Sequence, residues 1–302
     1  MAYRLFEGKK HAALYLKYRV SPSDHLIQQV LGFLEKQKGR PFELAVDVGC
    51  GSGQGTLLLA KHFASVVGTD VSPAQLELAL QHAQQANITY RLCPDDRLLE
   101  LIGRQGSRHT QCTQRTLREC VAEELPFADS SVDLVTAMTA FHWFDRPRFL
   151  QEAHRVLKPR GCLALLSYTM DIELSYRDCC AHTLNQVSQE FYAALKPYRN
   201  PHLGPSSIDL YRAAYESIPY PDKEWQECVW VRRTMPLSSY MGMLESFSSY
   251  QILLRDDPQK ATDLSQDICQ KLMSAMQVTS AEAEVGVAVK YFYLLACKPQ
   301  DA

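Results

Sequence analysis

The chain has 302 residues, of which 46% are hydrophobic and 22% are charged, so it can bury a sizeable core and is neither disordered nor membrane-embedded by composition. Its formal net charge of −2 at pH 7 argues against broad electrostatic binding to nucleic acid. The stretch 1–10 lacks the apolar core of a signal peptide, and no run of about 18 apolar residues predicts a membrane span. We therefore expect a cytoplasmic protein with reduced cysteines, without a membrane or nucleic-acid partner and without a structural metal.

Strands and helices are predicted to alternate along the first half of the chain. After a helix at 24–36, the strands are expected at Leu44–Val48, Ser65–Thr69, Ile88–Leu92, Val132–Ala137 and Cys162–Tyr168. One helix start is marked by Ser72, which can cap it, and by Pro73 at the first helical position, while Gln75 would complete a capping box. This alternation predicts a parallel sheet with helices on both faces.

The pattern changes in the second half. Residues 171–225 are rich in proline and aromatic residues and show no strand signal, and we interpret them as a cap inserted over the strand ends. Regular structure is expected to resume with a strand at Glu227–Met235, helices at 237–254 and 259–276, and a final strand at Val287–Ala296.

Residues 95–121 form a polar, arginine-containing stretch between the third and fourth predicted strands. The simplest interpretation is a solvated surface insertion. A basic loop that contacts a partner is the alternative.

A glycine-dense turn ends the first strand. Glycines at 49, 51 and 53 permit positive φ and a close approach of the backbone to a ligand, and the following helix directs free N–H groups at the turn. Gln54 occupies the position where a dinucleotide fingerprint needs its third glycine. The charge of Asp47 would repel a pyrophosphate but attract an ammonium group. The turn therefore favours a ligand with an adenosine and an amino acid moiety over NAD.

Three segments around this turn carry a resemblance. Val46–Gly53, Glu124–Val135 and Leu157–Gly161 resemble motifs of class I S-adenosylmethionine-dependent methyltransferases. Tyr15–Arg19, Phe141–Phe144 and Tyr291–Lys298 are similar to the trans-aconitate methyltransferase-like group within methyltransferase type 11. The resemblance implies an α/β, Rossmann-like single domain over 1–302, with a seven-stranded, mostly parallel sheet in the order 3-2-1-4-5-7-6, an antiparallel edge hairpin and a helical cap. Residues 1–40 would form an N-terminal lid and helix.

The resemblance also implies a binding site for S-adenosyl-L-methionine. Asp70 would accept hydrogen bonds from both ribose hydroxyls, Val71 would pack beside adenine, and Ala122 and Glu123 would border the adenine edge. The insertion 95–121 would enter near this adenine pocket. The residues implied at the methionine end are Asp47, Gly49, Cys50, Gly51 and Thr139, with Tyr18 and Arg19 folding over the cofactor.

Two further residues are candidates for catalysis. His142 and Trp143 follow the fourth strand, where strand ends form the ligand crevice of such sheets. His142 is a candidate base or hydrogen-bond donor, and Trp143 a candidate wall of the pocket, although both are equally well explained by packing. A carboxylate acceptor would need no base but would need basic side chains to hold it. The candidates for that clamp are Arg177, Lys196, Arg199 and Arg212.

The sequence thus predicts a methyltransferase acting on a small-molecule acceptor, with a carboxylic acid as one candidate. An NAD(P)-dependent oxidoreductase and a noncatalytic, methyltransferase-like binding protein remain as alternatives. The oligomeric state stays open.

Overall fold

The structure, a computed structural model, describes residues 8–19, 21–83, 85–92, 121–177, 179, 181–203 and 206–301. Seven strands in this part of the chain form one sheet in the order β3-β2-β1-β4-β5-β7-β6. β1 to β5 run parallel, whereas β7 is antiparallel to both β5 and β6. This confirms the predicted mixed sheet and its antiparallel edge. The strands are β1 (Leu44–Val48), β2 (Ser65–Asp70), β3 (Ile88–Leu92), β4 (Val132–Met138), β5 (Leu157–Ser175), β6 (Lys223–Pro236) and β7 (Glu284–Cys297).

Helices cover both faces of the sheet. They are α1 (Lys9–Tyr18), α2 (Asp24–Lys38), α3 (Gln54–Leu59), α4 (Pro73–His82), α5 (Arg146–Val156), α6 (Ala181–Leu195), α7 (Ser207–Ser217), α8 (Leu237–Glu245), α9 (Ser248–Asp256) and α10 (Pro258–Met276). One apolar cluster joins α2 to the helices that follow β6, with Leu26 and Tyr240 fully buried in it. A second cluster lies on the other face and includes Phe149 of α5 and Tyr211 of α7. The sheet is therefore sandwiched between two apolar layers.

Asp133 of β4 links neighbouring elements at the edge of the sheet where the parallel strands begin. Its buried carboxylate accepts hydrogen bonds from the backbone N–H groups of Glu43 and Leu44 at 2.7 and 2.9 Å, and it pairs with Lys38 and Lys158. Burial disfavours the charge, but the hydrogen bonds from Lys38 and from the backbone outweigh it and hold the pKa of Asp133 below its ordinary value. This acid serves the fold, because the opposite ends of the strands carry the cleft described below.

The start of α4 differs from the predicted capping box. Ser72 caps the helix by accepting a hydrogen bond from the Gln75 N–H at 3.3 Å. The reciprocal bond does not form, because the Ser72 N–H donates instead to Asp70 at 2.8 Å. Gln75 is therefore not used as a cap.

Sheet structure reaches further into 171–225 than the sequence predicts. β5 continues past Tyr168 to Ser175, after a register shift against β7 between Tyr168 and Ile172, and β6 already begins at Lys223. The reason is the alternation of buried Ile172 and Leu174 with exposed neighbours, which pairs with β7. Between these strands the segment is helical. The stretch 237–254, predicted as one helix, is interrupted between α8 and α9.

The stretch 95–121 lies outside the described residues except for Val121. Within the described ranges, no helix is both long and apolar enough to span a bilayer.

Candidate active site

A cleft follows the carboxyl ends of β1, β2 and β4, the edge at which open α/β sheets bind ligands. It has two adjoining lobes that share Tyr15, Gly49, Gly51 and Thr139. The first lobe is otherwise lined by Val48, Thr69, Asp70, Val71, Gln75, Ala122, Ala140, Trp143 and Phe144. The second lobe is otherwise lined by Arg19, Pro22, Asp47, Cys50, Ser52, Gln54, Gly55, Met138, Tyr168 and Tyr291.

The glycine turn lies where the two lobes meet. Gly49 has φ +68°, and a Cβ there would lie 2.5 Å from the Cβ of Ala140. Gly51 has φ +56°, and a Cβ there would have no neighbour closer than 3.9 Å. Gly49 is thus required by packing, whereas Gly51 leaves bare backbone facing open space in the cleft.

Asp70 is held in place at the end of β2. Its Oδ2 accepts a hydrogen bond from the Gly51 N–H and its Oδ1 from the Ser72 N–H, both at 2.8 Å. Burial raises the pKa of Asp70, and the backbone hydrogen bonds partly oppose that rise. A carboxylate fixed in this way presents its remaining lone pairs to hydroxyl donors in the first lobe.

Asp47 lies beneath the glycine turn and is 1% exposed. Thr56 donates its hydroxyl to Oδ2 at 2.7 Å, and Thr136 donates to Oδ1 at 2.9 Å. Burial raises the pKa of Asp47 to about 6 even though both threonine bonds favour the ionised form. A cationic ligand group in the second lobe would therefore favour ionisation of this carboxyl.

Arg19, the residue that follows α1, lines the second lobe. The guanidinium donates to the hydroxyl of Tyr168 and to the carbonyl of Ser246, and it lies 4.8 Å from the ring centre of Tyr15 and 4.6 Å from that of Phe247. Its Nε is buried and has no hydrogen-bond partner in the part of the chain that the structure describes, and burial lowers the pKa of Arg19. No described acid forms an ion pair with Arg19, so an anionic group of a ligand would meet a desolvated positive charge here.

Comparison with known proteins points to one class of enzyme. Residues 46–165 match the model of a methyltransferase domain family. A Dictyostelium discoideum protein named as a methyltransferase is 23% identical over 275 residues, which are 90% of this chain and 86% of that protein. A Saccharomyces cerevisiae protein named as an S-adenosylmethionine-dependent methyltransferase is 22% identical over an alignment of 305 positions that covers 95% of this chain and 95% of that protein.

The chain is an S-adenosylmethionine-dependent methyltransferase.

A solved structure shares the fold. A type II methyltransferase structure from Anaeromyxobacter dehalogenans has a TM-score of 0.67 and 21% identity, and it covers 93% of this chain and 99% of its own. The sheet order and the match to the methyltransferase domain family argue against the NAD(P)-dependent oxidoreductase that the sequence left open as an alternative.

The cleft of the methyltransferase fits its cofactor, S-adenosylmethionine. Asp70 offers fixed acceptors for hydroxyl groups, Gly51 leaves room against the backbone, and Asp47 is a buried carboxyl whose ionisation a cation would favour. Arg19 offers one buried and unpartnered donor, its Nε, for a carboxylate. The residues present thus match the hydroxyl, ammonium and carboxylate groups of one ligand.

Most of the sequence-predicted residues line the cleft. They are Arg19, Asp47, Gly49, Cys50, Gly51, Asp70, Val71, Ala122, Thr139 and Trp143. Tyr18, Glu123 and His142 line neither lobe. The ring of Tyr18 packs on α8, where a Cβ on Gly242 would lie 2.5 Å from it, and Glu123 accepts a hydrogen bond from the Asp145 N–H at 2.7 Å.

His142 lies beside the first lobe in a short 3-10 turn, Phe141–Trp143. Its Nδ1 is 3.3 Å from the hydroxyl of the fully buried Tyr211, and its ring lies 5.2 Å from that of Trp143. Burial, together with the positive charges of Arg19 and Arg199, lowers the pKa of His142 to about 3. The imidazole is therefore neutral near pH 7 and a weak base.

A basic pair lies near this turn. Nη1 of Arg146 and Nε of Arg199 are buried, and among the described residues these atoms have no hydrogen-bond partner and the two side chains form no ion pair. Arg146 begins α5, shortly after the Phe141–Trp143 turn. The short turn Pro201–Leu203, which comes shortly after Arg199, packs against the Phe141–Trp143 turn. We call Arg146 and Arg199 the arginine pair.

The other clamp candidates lie elsewhere. Arg177 and Lys196 are exposed, and Arg212 forms an exposed ion pair with Glu227. Only Arg199 among the four predicted basic residues lies near His142.

Several residues that line the first lobe were not predicted from the sequence. Gln75 was assigned to a helix cap, and Ala140 and Phe144 carry no distinctive chemistry. Tyr15 lines both lobes from α1, and its place in the Tyr15–Arg19 resemblance was the available signal.

Proposed function

We propose that the methyltransferase transfers a methyl group to the carboxylate of a small organic acid and forms a methyl ester. The observation that supports this substrate is the arginine pair, with its buried and unpartnered guanidinium nitrogens beside His142. Membership in the trans-aconitate methyltransferase-like group, which the sequence predicts, is part of the same proposal.

The arginine pair is costly without a ligand. A buried donor that lacks an acceptor loses its hydration without compensation, and the cost is greater for a charged group. Burial lowers the pKa of Arg199, which expresses the same penalty. A carboxylate matches a guanidinium in charge and in its planar pair of acceptors, so an organic acid would satisfy both nitrogens.

A carboxylate acceptor also agrees with the state of His142. An ionised acid has no proton to lose, so its oxygen can attack a methyl group without a general base. Neutral His142, hydrogen-bonded to Tyr211, is suited to positioning and is a poor proton acceptor because its pKa is about 3. The sequence left both roles open for His142, and we assign it the positioning role.

S-adenosylmethionine supplies a methyl group that its positive sulfonium activates. The chain's contribution is to align the acceptor oxygen with that methyl group and to exclude water from the path between them. Trp143 and Phe144 line the first lobe next to His142, and Tyr15 covers both lobes. The aromatic lining of this cleft supports a small molecule as the acceptor.

Methylation of a panel of small mono-, di- and tricarboxylic acids, with radiolabelled S-adenosylmethionine as the donor, tests this proposal. We expect label in a product that releases methanol in alkali, as a methyl ester does. Amide analogues of the same acids should not be labelled. Transfer of label to an amine or an alcohol, with no ester formed, would refute the proposal.

Variants of the arginine pair test the binding mode. Arg146→Ala and Arg199→Ala should each raise the KM for the acid by about tenfold or more, because each removes a charged hydrogen bond, while the affinity for the cofactor stays unchanged. Arg148→Ala is the matched control, since Arg148 lies on the same helix as Arg146 but is exposed. Equal KM values in all three variants would exclude the arginine pair as the acid clamp.

A further inference from the structure

Two buried cysteines face each other on neighbouring strands, at the edge of the sheet opposite to the cleft. Cys162 of β5 and Cys297, the last residue of β7, are direct partners in the antiparallel register. Their side chains are free thiols in residues that are 1% and 4% exposed. We infer that this pair is a redox modification site, which a peroxide converts into a reversible disulfide that links β5 and β7 covalently.

The strand register brings the two cysteines within reach of a disulfide. The Lys298 N–H donates to the carbonyl of Gly161 at 2.9 Å, so the backbone bonds flank the cysteine pair and do not join its two members. The Cα atoms of such non-hydrogen-bonded pairs lie about 4.5 Å apart, within the range of roughly 4.4 to 6.8 Å that disulfides span. Both side chains belong to the same apolar cluster and so leave the sheet on the same face. A disulfide here therefore needs little movement of the backbone.

The two thiols differ in reactivity. The Cys162 thiol donates a hydrogen bond to the sulfur of Cys297, and this bond lowers the pKa of Cys297 even though burial opposes the shift. The same bond, together with burial, raises the pKa of Cys162. Because the thiolate is the reactive form, Cys297 is the sulfur that a peroxide oxidises first, and Cys162 is already in contact with it.

The reaction needs only the two thiols and hydrogen peroxide. The Cys297 sulfur attacks one peroxide oxygen, the O–O bond breaks, and a sulfenic acid and one water form. The Cys162 sulfur then displaces the hydroxyl group as a second water and forms the S–S bond. The two thiols supply the two electrons that reduce the peroxide, and their two protons end in the water molecules.

Lys298 controls the access of peroxide to the pair. It directly follows Cys297, and its Nζ donates to the carbonyls of His154 and Leu157 at 2.8 and 3.0 Å. These bonds hold the end of β7 against the end of α5. Local opening of a strand end costs less free energy than global unfolding, so the cysteine pair becomes accessible when these bonds break.

The first experiment maps the disulfide. Cys228→Ser serves as the parent protein, because Cys228 is exposed and could link two molecules. The folded protein is treated with hydrogen peroxide, unfolded in the presence of an alkylating agent, digested and analysed by mass spectrometry. We expect the peptides of Cys162 and Cys297 to be joined with the loss of two hydrogen atoms and to separate again in dithiothreitol. Recovery of both cysteines as alkylated thiols, or as sulfinic acids without a link, would overturn the inference.

The second experiment measures stability. A disulfide between these strands closes the long loop 162–297 and so constrains the unfolded chain. Peroxide should raise the melting temperature of the parent by about 5 °C and leave the Kd for S-adenosylhomocysteine unchanged, since the pair lies away from the cleft. In Cys162→Ala the rise should be absent. A rise of equal size in Cys162→Ala would assign the effect to other oxidised residues and contradict the inference.

The third experiment tests the route of access. Lys298→Met removes the two hydrogen bonds that hold the end of β7 and should form the disulfide about fivefold faster than the parent. Lys290→Met is the matched control, because Lys290 lies on the same strand but pairs with Asp171, at 3.5 Å. Equal rates in both variants and the parent would contradict the role of Lys298. None of these results depends on which acceptor is methylated.

Discussion

Asp70 and Gly51 are joined by a hydrogen bond of 2.8 Å from the Gly51 N–H to Oδ2 of Asp70. The bond ties the acid at the end of β2 to the glycine turn that follows β1. The two signals that identified a nucleoside site in the sequence are therefore one structural unit. It positions a carboxylate at the mouth of the first lobe before any ligand binds.

Replacing Asp70 should weaken cofactor binding more than it weakens the fold. Asp70→Asn keeps the shape but turns one acceptor into a donor, so a ribose hydroxyl or a backbone N–H loses its partner. We expect the Kd for S-adenosylhomocysteine to rise about 10- to 100-fold in calorimetry. Glu124→Gln, at an exposed acid, is the control and should bind as the parent does. A Kd for Asp70→Asn close to that of the parent would remove Asp70 from the binding site.

Asp47 should make the stability of the ligand-free protein depend on pH. Its pKa is about 6 in the folded protein against an ordinary value of 3.8, so the folded state holds a proton that the unfolded state has released between these values. Stability from this group is therefore present at low pH and is lost as the pH rises through about 6, by up to about 3 kcal/mol. The side chain of Asp47→Asn does not ionise, so the stability of this variant should not show the decrease. Its free energy of unfolding should exceed that of the parent at pH 7.5 and approach it near pH 4, as urea denaturation would measure.

Cofactor affinity should show the opposite trend at Asp47. An ammonium group favours the ionised carboxyl, so the parent should bind S-adenosylhomocysteine more tightly as the pH rises through about 6. Asp47→Asn should bind weakly at every pH. A parent affinity that stays flat across this range would show that Asp47 does not face the ammonium group.

The sequence predicted those parts of the molecule that depend on local pattern. The sheet order, the glycine turn and the acids Asp47 and Asp70 follow from strand periodicity, from spacing and from the resemblance. Gln75 was misassigned because its capping partner was taken by Asp70, a competition that only the folded geometry reveals. Arg146 was missed because its proximity to His142 depends on the fold, in which the Phe141–Trp143 turn packs against Pro201–Leu203, a segment distant in the sequence.

His142 should leave no signature in the pH dependence of turnover. Because burial and nearby arginines hold its pKa at about 3, the imidazole stays neutral across the assay range. With cofactor and acid saturating, kcat should therefore show no inflection near the ordinary value of 6.5. His142→Gln, which keeps a hydrogen-bonding group towards Tyr211, should lower kcat by less than about tenfold. An inflection near 6.5 in the parent that is absent from His142→Gln would establish His142 as a general base.

Gly242 should control how α1 closes over the cleft. A Cβ there would lie 2.5 Å from the ring of Tyr18, so Gly242→Ala should displace α1 and with it Arg19. We expect weaker binding of S-adenosylhomocysteine with little loss of thermal stability, since alanine favours the helix α8 itself. Gly32→Ala is the matched control, because a Cβ at Gly32 in α2 would meet no atom within 4 Å. Unchanged binding in Gly242→Ala would show that α1 does not depend on this contact.

The length of β5 has a mechanical consequence. Tyr168 on this strand accepts a hydrogen bond from Arg19 in the cleft, while the Leu174 N–H further along donates to Asn185 of α6 at 2.7 Å. Because β5 pairs with β7 at Tyr168 and again from Ile172 to Ser175, beyond the register shift, movement of the cap as a separate body would break strand pairs of the sheet. Amide hydrogen exchange should therefore protect Leu174 about as strongly as the strand residues below the cleft, while α1 exchanges sooner. In this enzyme we expect α1 to be the element that opens for the ligand, whereas the cap stays fixed to the sheet.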